Sequence, residues 1–338
     1  MKCWAKTAKR DSLRHATLRL LLAFLVFLWP VSALPQKTTL RSQSNIVLVT
    51  ALVKDAQGGI VYGLQAKNFV VEDDGVEQPA RLDEAPEGQP ISLVVAIQKG
   101  RRAYAEFPRI QGLSSMLDPL FALRTARIAV VEFDSQVVLA RTFTQDQTLV
   151  EDALRNLQPG DGGATILDAV DYSVNPLKKE SEGRLRVLLL ISETRDHGSH
   201  GKIDDTVAAI GQSDAVMYAL AFSPSLSNIL DTGRGTNLNE MHNGVDFIDL
   251  AYRTAQALRK NVPSTVASMT GGEYELFATK KKFEVRMNDF TNHLHSRYLL
   301  SFTPKSPHPG LHQIRVRLKD AADVSVLART SYWAEGTK

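Results

Sequence analysis

The sequence predicts an α/β fold: a doubly wound, mostly parallel sheet with helices on both faces, and an accessory β module beside it. Two observations predict this fold. Short apolar runs alternate with helical periodicities between residues 91 and 296, and further strand patterns flank that region on both sides. Near-continuous apolar runs are typical of strands that are buried on both faces, as in parallel sheets. Alternation of such strands with helices is the pattern of doubly wound folds.

The first 33 residues predict a signal peptide. Six basic residues precede or border an apolar run at 20–28, and Val31-Ser32-Ala33 offers small residues for cleavage near Ala33. The alternative is an uncleaved N-terminal membrane anchor. However, the 15 residues from 20 to 34 would span roughly 22 Å as a helix, which is short of the roughly 30 Å hydrocarbon core. We therefore expect export to the periplasm or the exterior, without a stable membrane span after cleavage.

Removal of this leader changes the charge balance of the chain. The whole sequence has a net charge of +3, but the leader holds six of the 40 basic residues and one of the 37 acidic ones, which leaves 34 and 36. The mature chain is thus slightly acidic, and its overall charge predicts no nucleic-acid partner. Cys3, the only cysteine, also lies in the leader. The mature chain therefore has neither a disulfide nor thiol chemistry.

A β segment is predicted at 45–88, after a polar and flexible linker at 34–44. Its predicted strands are 46–53, 69–73 and 76–82. Asp74-Gly75 stands between the last two of these, and this dipeptide is a strong hairpin signal. A second β segment is predicted at 297–334, with strands at 298–302, 311–318 and 324–332. We expect the two segments to pack together, because isolated hairpins are barely stable in water.

The region 89–296 is predicted to form the α/β domain. Its expected strands are 91–97, 128–133, 185–191, 215–222 and 273–277, with 137–140 as an antiparallel edge strand. Its expected helices are 105–123, 147–157, 166–179, 203–211, 247–260 and 281–296. Residues 223–246 are rich in Asn, Gly and Ser, and they predict a loop inserted at the carboxyl end of a strand.

A series of motifs in this order resembles the von Willebrand factor type A-like domain, in its secreted bacterial form. The motifs are Gly63-Leu64, Glu72-Asp73-Asp74-Gly75, the strand at 91–97, Val131 to Ser135, Gly162 to Ala169, Val187 to Ser192, Thr270-Gly271-Gly272, Arg297-Tyr298 and Phe302-Thr303-Pro304. The resemblance runs from about residue 45 to 333. It implies an adhesion or interaction domain rather than an enzyme.

Members of that family often carry a metal-ion-dependent adhesion site. The site uses Asp-x-Ser-x-Ser after the first strand of the domain, a Thr in a second loop and an Asp after a later strand. The corresponding residues here are Gln98, Gly100 and Arg102 for the first motif, Ala164 or Thr165 for the Thr, and Glu193 for the later Asp. A hard cation such as Mg²⁺ needs oxygen ligands, and the charge of Arg102 would repel it. The resemblance therefore implies a degenerate site, without a metal ion or another cofactor.

The predicted function is a protein-binding or adhesion module that uses the sheet-edge loops without a metal ion. The candidate binding residues are Gln98, Lys99, Arg101, Arg102, Thr165 and Glu193. The cations among them suit a carboxylate of an acidic partner, which Arg can bind through two parallel hydrogen bonds. Alternatively, these cations are solvated loop charges or partners of Glu193. The alternative function is a structural or assembly component of the cell envelope without a specific soluble ligand.

No catalytic residue is predicted. The segment 196–200 contains Asp, His and Ser, but the members of a catalytic triad meet across separate loops rather than within one. The pairs His293/His295 and His308/His312 are weak as metal sites. The first pair falls two residues apart on a predicted helix, so its members do not face each other.

Overall fold

The computed structural model describes residues 46–83, 89–122, 124–181, 183–222, 247–305, 308–319 and 323–335. The predicted signal peptide, linker and inserted loop at 223–246 lie outside these residues. The strands are β1 (Val47–Asp55), β2 (Phe69–Asp73), β3 (Val76–Gln78), β4 (Arg81–Asp83), β5 (Ile91–Gln98), β6 (Arg127–Phe133), β7 (Val137–Thr144), β8 (Leu185–Ser192), β9 (Val216–Phe222), β10 (Tyr274–Phe277), β11 (Tyr298–Phe302), β12 (Gly310–Leu318), β13 (Val324–Ala328) and β14 (Ser331–Ala334).

The helices lie mainly between the strands of the central region. They are α1 (Arg101–Tyr104), α2 (Phe107–Ile110), α3 (Leu113–Met116), α4 (Asp118–Ala122), α5 (Gln147–Arg155), α6 (Ile166–Lys178), α7 (Ile203–Gln212), α8 (Phe247–Lys260), α9 (Val262–Thr270) and α10 (Lys280–Leu294). Within the described part of the chain, none of these helices is long and apolar enough to cross a membrane.

A six-stranded sheet with the order β10-β9-β8-β5-β6-β7 forms the centre of the domain. All neighbouring strands in it are parallel except β6 and β7, which are antiparallel at the sheet edge. Every residue of β5 is buried, because α6, α7 and α9 cover one face of the sheet and α10 with the short helices α1 to α4 covers the other. Alternate residues of β5 therefore enter two separate cores, Val94 on one side and Leu93 on the other. The predicted fold class is confirmed.

The prediction of one helix over 105–123 is wrong: the chain forms three short helices there, α2, α3 and α4. Gly112 has a φ of 90°, a left-handed conformation that ends the regular helical path. Pro108 and Pro119 each stand second in a helix, α2 and α4, where the missing N–H of proline is tolerated. The apolar spacing thus predicted helical structure in this region, whereas the breaks follow from Gly and Pro.

Two antiparallel four-stranded sheets form the accessory β module. Their orders are β13-β1-β11-β4 and β14-β12-β2-β3. Both combine strands from before and after the α/β domain, and residues such as Val49, Phe69, Leu300 and Ile314 share one buried core between them. Two predicted strands are corrected. The pattern at 76–82 divides into β3 and β4, and that at 324–332 divides into β13 and β14, because each pattern continues from one sheet into the other.

A fragment of residues 46–88 is expected to be unfolded on its own. In the full chain β1 pairs with β11 and β13, and β2 pairs with β12. The fragment lacks all three partners and would expose the residues of β1 that are now buried, while isolated hairpins are marginal in water. Far-ultraviolet circular dichroism of the fragment should show no cooperative thermal transition. A cooperative transition would show that the N-terminal strands fold without the C-terminal ones.

Side-chain contacts join the accessory module to the α/β domain. Lys54 on β1 forms an ion pair with Glu273, and Nδ1 of His293 on α10 lies 2.7 Å from Oε2 of the same carboxylate. Elsewhere the buried guanidinium of Arg329 donates to the carbonyl oxygens of Ser331, at 2.7 Å, and Gly211, the second of which belongs to α7. The module is therefore fixed to the domain by polar contacts as well as by apolar packing.

Candidate functional site

The candidate site lies at the edge of the sheet where β5, β6 and β8 end. Ligands of open α/β sheets bind at this carboxyl edge. Backbone hydrogen bonds join the loop after β5 to the last residue of β6 and to the loop that precedes α6. The amide of Lys99 donates to Phe133 O at 2.7 Å, and the amide of Gly160 donates to Lys99 O at 2.8 Å. The loops are thus one connected layer above the strands.

A buried pair of side chains lies at the centre of this edge. Nε2 of Gln98 donates to Oε1 of Glu193 at 2.9 Å, and the backbone amide of Glu193 donates to Oε1 of Gln98, also at 2.9 Å. Gln98 is 1 % exposed and Glu193 is 6 % exposed. The side-chain amide of Gln98 therefore forms hydrogen bonds through both its N–H and its oxygen to Glu193, the residue that follows the neighbouring strand β8. Two of the predicted site residues, 95 positions apart, are brought together here.

The other predicted site residues have separate roles. Nζ of Lys99 lies 3.2 Å from Oε1 of Glu132, so this cation is paired within the chain. Thr165 precedes α6, and its hydroxyl donates to Asp134 O at 3.0 Å. Arg101 and Arg102 stand in the first turn of α1 rather than in a loop, and their side chains lie outside the part of the chain that the structure describes.

Aspartates that are not among the predicted site residues organise the loops around Gln98 and Glu193. Oδ1 of Asp161 accepts the amides of Ser135, at 3.0 Å, and Gly163, at 2.8 Å, which joins two of the loops. The hydroxyl of Ser135 also donates to this carboxylate, and these bonds lower the pKa of Asp161. In the sequence, the polar residues after β6 and before α6 were the available indication of these contacts.

The segment 196–200 is held as a structural turn. Oδ1 of Asp196 accepts the amide of Leu167 at 3.0 Å and the hydroxyl of Ser199 at 2.6 Å. Asp168 accepts the amides of His200 and Gly201, each at 2.9 Å. These carboxylates therefore attach the turn to the first residues of α6. The bonds account for the Asp and Ser of this segment without a catalytic role.

Close backbone approaches restrict what the edge can accommodate. A Cβ atom added to Gly100 would lie 2.4 Å from the carbonyl oxygen of Gly163, and one added to Gly163 would lie 2.5 Å from the amide nitrogen of Ser135. Real Cβ atoms do not approach backbone atoms so closely. The two glycines thus permit the tight packing of the loops, and Gly100 could not carry a serine side chain without a shift of the backbone.

Comparison with known proteins agrees with this architecture. Residues 104–195 match the sequence model of the von Willebrand factor type A domain. Residues 104–195 therefore lie in a von Willebrand factor type A domain, and the mostly parallel sheet with helices on both faces is the α/β architecture predicted from that resemblance. Domains of this class mediate protein interactions.

Several solved structures resemble the chain at low identity. BatB from Bacteroides thetaiotaomicron is 14 % identical with a TM-score of 0.41, over 60 % of this chain and 98 % of that one. The PilB minor pilin from Streptococcus sanguinis is 10 % identical with a TM-score of 0.42, over 63 % of each chain. The vWF domain of the pilus tip protein Mfa5 from Porphyromonas gingivalis is 11 % identical with a TM-score of 0.37, over 60 % of this chain and 94 % of that one. A search of curated proteins found no match.

Proposed function

We propose that the chain is an exported protein-interaction or adhesion module whose sheet edge works without a metal ion. The observation that carries this proposal is the reciprocal pair between Gln98 and Glu193. A cation bound to Oε1 of Glu193 would have to displace the amide N–H of Gln98, which donates to that oxygen at 2.9 Å. A hydrogen-bond donor thus stands where a metal-binding relative supplies a carboxylate ligand.

The remaining residues of the family's metal site also fit a cation poorly. The hydroxyl of Thr165 donates to Asp134 O, and the side chain of Ala164 has no ligand atom. Gly100 lacks the hydroxyl of the family motif and has no space for one next to Gly163. Mg²⁺ requires near-octahedral oxygen coordination, which this set of groups does not provide. The proposed site is therefore degenerate.

The proposed ligand is a protein that presents an acidic residue to the edge. Arg101 and Arg102 follow β5 directly, and their charges suit a carboxylate. Lys99 contributes less, because it is already paired with Glu132. No enzymatic activity is proposed, since the Asp and Ser of segment 196–200 make the turn contacts described above.

Export is the second part of the proposal, and the leader supports it. Expression of the full chain followed by fractionation and N-terminal sequencing should give a mature protein that begins near residue 34, outside the cytoplasm. Recovery of an intact N-terminus in the membrane fraction would instead support an uncleaved anchor.

The binding proposal predicts a saturable partner that depends on the basic edge. Mature chain carrying a photo-cross-linker at exposed Ser135 would be used to identify partners, and the affinity of each would then be measured with the wild type and with Arg101→Glu/Arg102→Glu. We expect at least a tenfold weaker affinity for this variant, because losing a charged interface contact costs about 2–5 kcal/mol.

A matched control is Lys281→Glu/Lys282→Glu, which makes the same change of charge at two exposed positions on α10. The control should bind as the wild type does. Equal affinity of all three proteins would contradict a role for the basic edge. If cross-linking yields no saturable partner at all, the chain is better described as a structural component of the cell envelope.

A further inference from the structure

A cluster of two histidines and an aspartate lies in the accessory module, away from the sheet edge. Asp74 is in the turn between β2 and β3, His312 is on β12, and His308 precedes that strand. Oδ2 of Asp74 lies 2.8 Å from Nδ1 of His312 and 3.1 Å from Nε2 of His308. Carboxylate and imidazole groups commonly bind transition metals. Each of the three side chains places one such ligand atom within 4.8 Å of the other two.

Neighbouring backbone groups fix the orientation of two of these side chains. Oδ1 of Asp74 accepts the amide of Gln313 at 2.9 Å, so that Oδ2 faces the imidazoles. Nε2 of His312 lies 2.7 Å from the carbonyl oxygen of His308. A carbonyl only accepts, so Nε2 carries the proton and a neutral His312 has its lone pair on Nδ1. Metal-binding histidines are typically held in this way, with the second ring nitrogen donating to a carbonyl.

A second observation concerns two buried polar atoms beside the cluster. Oδ1 of Asp73 and Nδ1 of His312 lie 3.3 Å apart, and neither has an aligned hydrogen bond within the described residues. Asp73 is 5 % exposed and His312 is 1 % exposed. The other carboxylate oxygen of Asp73 accepts the hydroxyl of Tyr332 at 3.1 Å, which directs Oδ1 towards His312. Buried polar atoms are rarely left without a partner, so this arrangement needs a positive charge between the two atoms, which either a proton or a metal ion can supply.

We propose that Asp74, His308 and His312 bind a divalent transition metal ion of the zinc type, with Asp73 supplying a fourth oxygen. Ligand atoms about 2.0–2.1 Å from a tetrahedral metal lie about 3.3 Å from one another. The distances from Asp74 to His312 (2.8 Å) and to His308 (3.1 Å) are close to that spacing. The distance of 3.3 Å from Asp73 to His312 is close to it as well. Imidazole and carboxylate together suit zinc or cobalt, whereas Mg²⁺ prefers oxygen ligands alone.

One side chain has to turn for the ion to enter. The rings of His308 and His312 are stacked, with centroids 3.9 Å apart and an angle of 17° between their planes, so their nitrogen lone pairs run nearly parallel. His308 is the ring that turns, because its side chain is 48 % exposed. His312 stays in place, since it is also stacked on Tyr332.

A proton competes with the metal for His312. Burial alone would lower the pKa of His312, but the carboxylates of Asp73 and Asp74 outweigh it and raise that pKa to about 10. Metal binding must therefore displace one proton. The bound ion would then hold the Asp74-Gly75 turn, which joins β2 to β3, against β12.

The test is cobalt and zinc binding by the tag-free mature protein. Co²⁺ should give an intense visible absorption band typical of tetrahedral coordination, titrate at one ion per chain and be displaced by Zn²⁺. His308→Ala should weaken the association at least about tenfold, and Asp74→Asn should weaken it as well. The half-exposed position of His308 makes the first variant compatible with folding, which its thermal unfolding curve would verify.

The matched control is His200→Ala, because the side chain of His200 is 86 % exposed and lies in the sheet-edge segment. This variant should bind both ions as the wild type does. Two results would overturn the proposal. One is the absence of a cobalt band in the wild type, and the other is equal affinity of the wild type and His308→Ala for zinc.

Discussion

Replacement of Glu273 by glutamine is expected to lower the free energy of unfolding at neutral pH by about 3 kcal/mol. The carboxylate is 10 % exposed and contacts Lys54 and His293. Glutamine keeps the shape but removes the charge, so that the ammonium of Lys54 stays largely buried without its counter-ion. Because Lys54 belongs to the accessory module and His293 to α10, the change weakens the connection between the module and the α/β domain.

The same carboxylate predicts a dependence of stability on pH. Burial by itself raises the pKa of Glu273, but hydrogen bonds from His293 and Lys54 and their charges outweigh it and lower that pKa to about 2. A carboxyl whose pKa is depressed in the folded state stabilises the fold above its unfolded pKa. This contribution is therefore complete above about pH 4.5 and is lost as the pH falls towards 2.

Denaturant unfolding at several pH values between 2 and 7 would measure both effects. The difference between the wild type and Glu273→Gln should be largest near neutrality and should shrink below pH 4.5. The matched control is Glu284→Gln, whose exposed carboxylate lies 3.9 Å from Lys280 on the same helix. Exposed pairs contribute about 0–1 kcal/mol. A loss for Glu273→Gln no larger than that of the control would contradict this role.

Gln98→Glu is expected to lower the free energy of unfolding by about 3–5 kcal/mol at neutral pH. The substitution is nearly isosteric, but it replaces the N–H that donates to Glu193 at 2.9 Å by an oxygen. Two carboxylates would then face each other in a buried site, and the backbone amide of Glu193, which donates to residue 98, would not separate their charges. One shared proton relieves such a pair, as in other carboxylate dyads. The loss should therefore become smaller as the pH falls from 7 towards about 4.

Thermal and denaturant unfolding of Gln98→Glu at pH 7 and pH 4.5 would test this expectation. Gln111→Glu is a suitable control, because it makes the same chemical change at an exposed position and should alter stability by less than about 0.5 kcal/mol. A Gln98→Glu protein as stable as the control at neutral pH would show that the pair with Glu193 contributes little.

The sequence predicted the central sheet well because its strands are buried on both faces. A run such as 91–97 is apolar throughout, and this property does not depend on which strand lies beside it. The accessory strands were harder to delimit. Several of them pair with strands more than 200 residues away, as Val47 does with Phe302. The change from one sheet to the other after Gln78 also leaves no mark in the alternation of apolar and polar residues.

The candidate site was predicted in its location but not in its contacts. The ends of β5 and β8 had to lie side by side in a parallel sheet, so Gln98 and Glu193 were expected at one edge. That they bond to each other depends on rotamers that no spacing encodes. The cluster of His308, His312 and Asp74 is not visible in the sequence for a similar reason. Its third member, Asp74, is 234 residues from His308 and becomes a neighbour only when β2 pairs with β12.

We propose that the amide of Gln98 takes the place of a metal ion at the sheet edge. The most direct test is thermal unfolding of the metal-free protein with and without millimolar Mg²⁺, together with Glu193→Gln. A ligand that binds only the folded state stabilises it by about 2.7 kcal/mol at 100 times its Kd, which would raise the Tm by several degrees. We predict no rise in the Tm of the wild type. A rise with Mg²⁺ that is absent in Glu193→Gln would contradict the account.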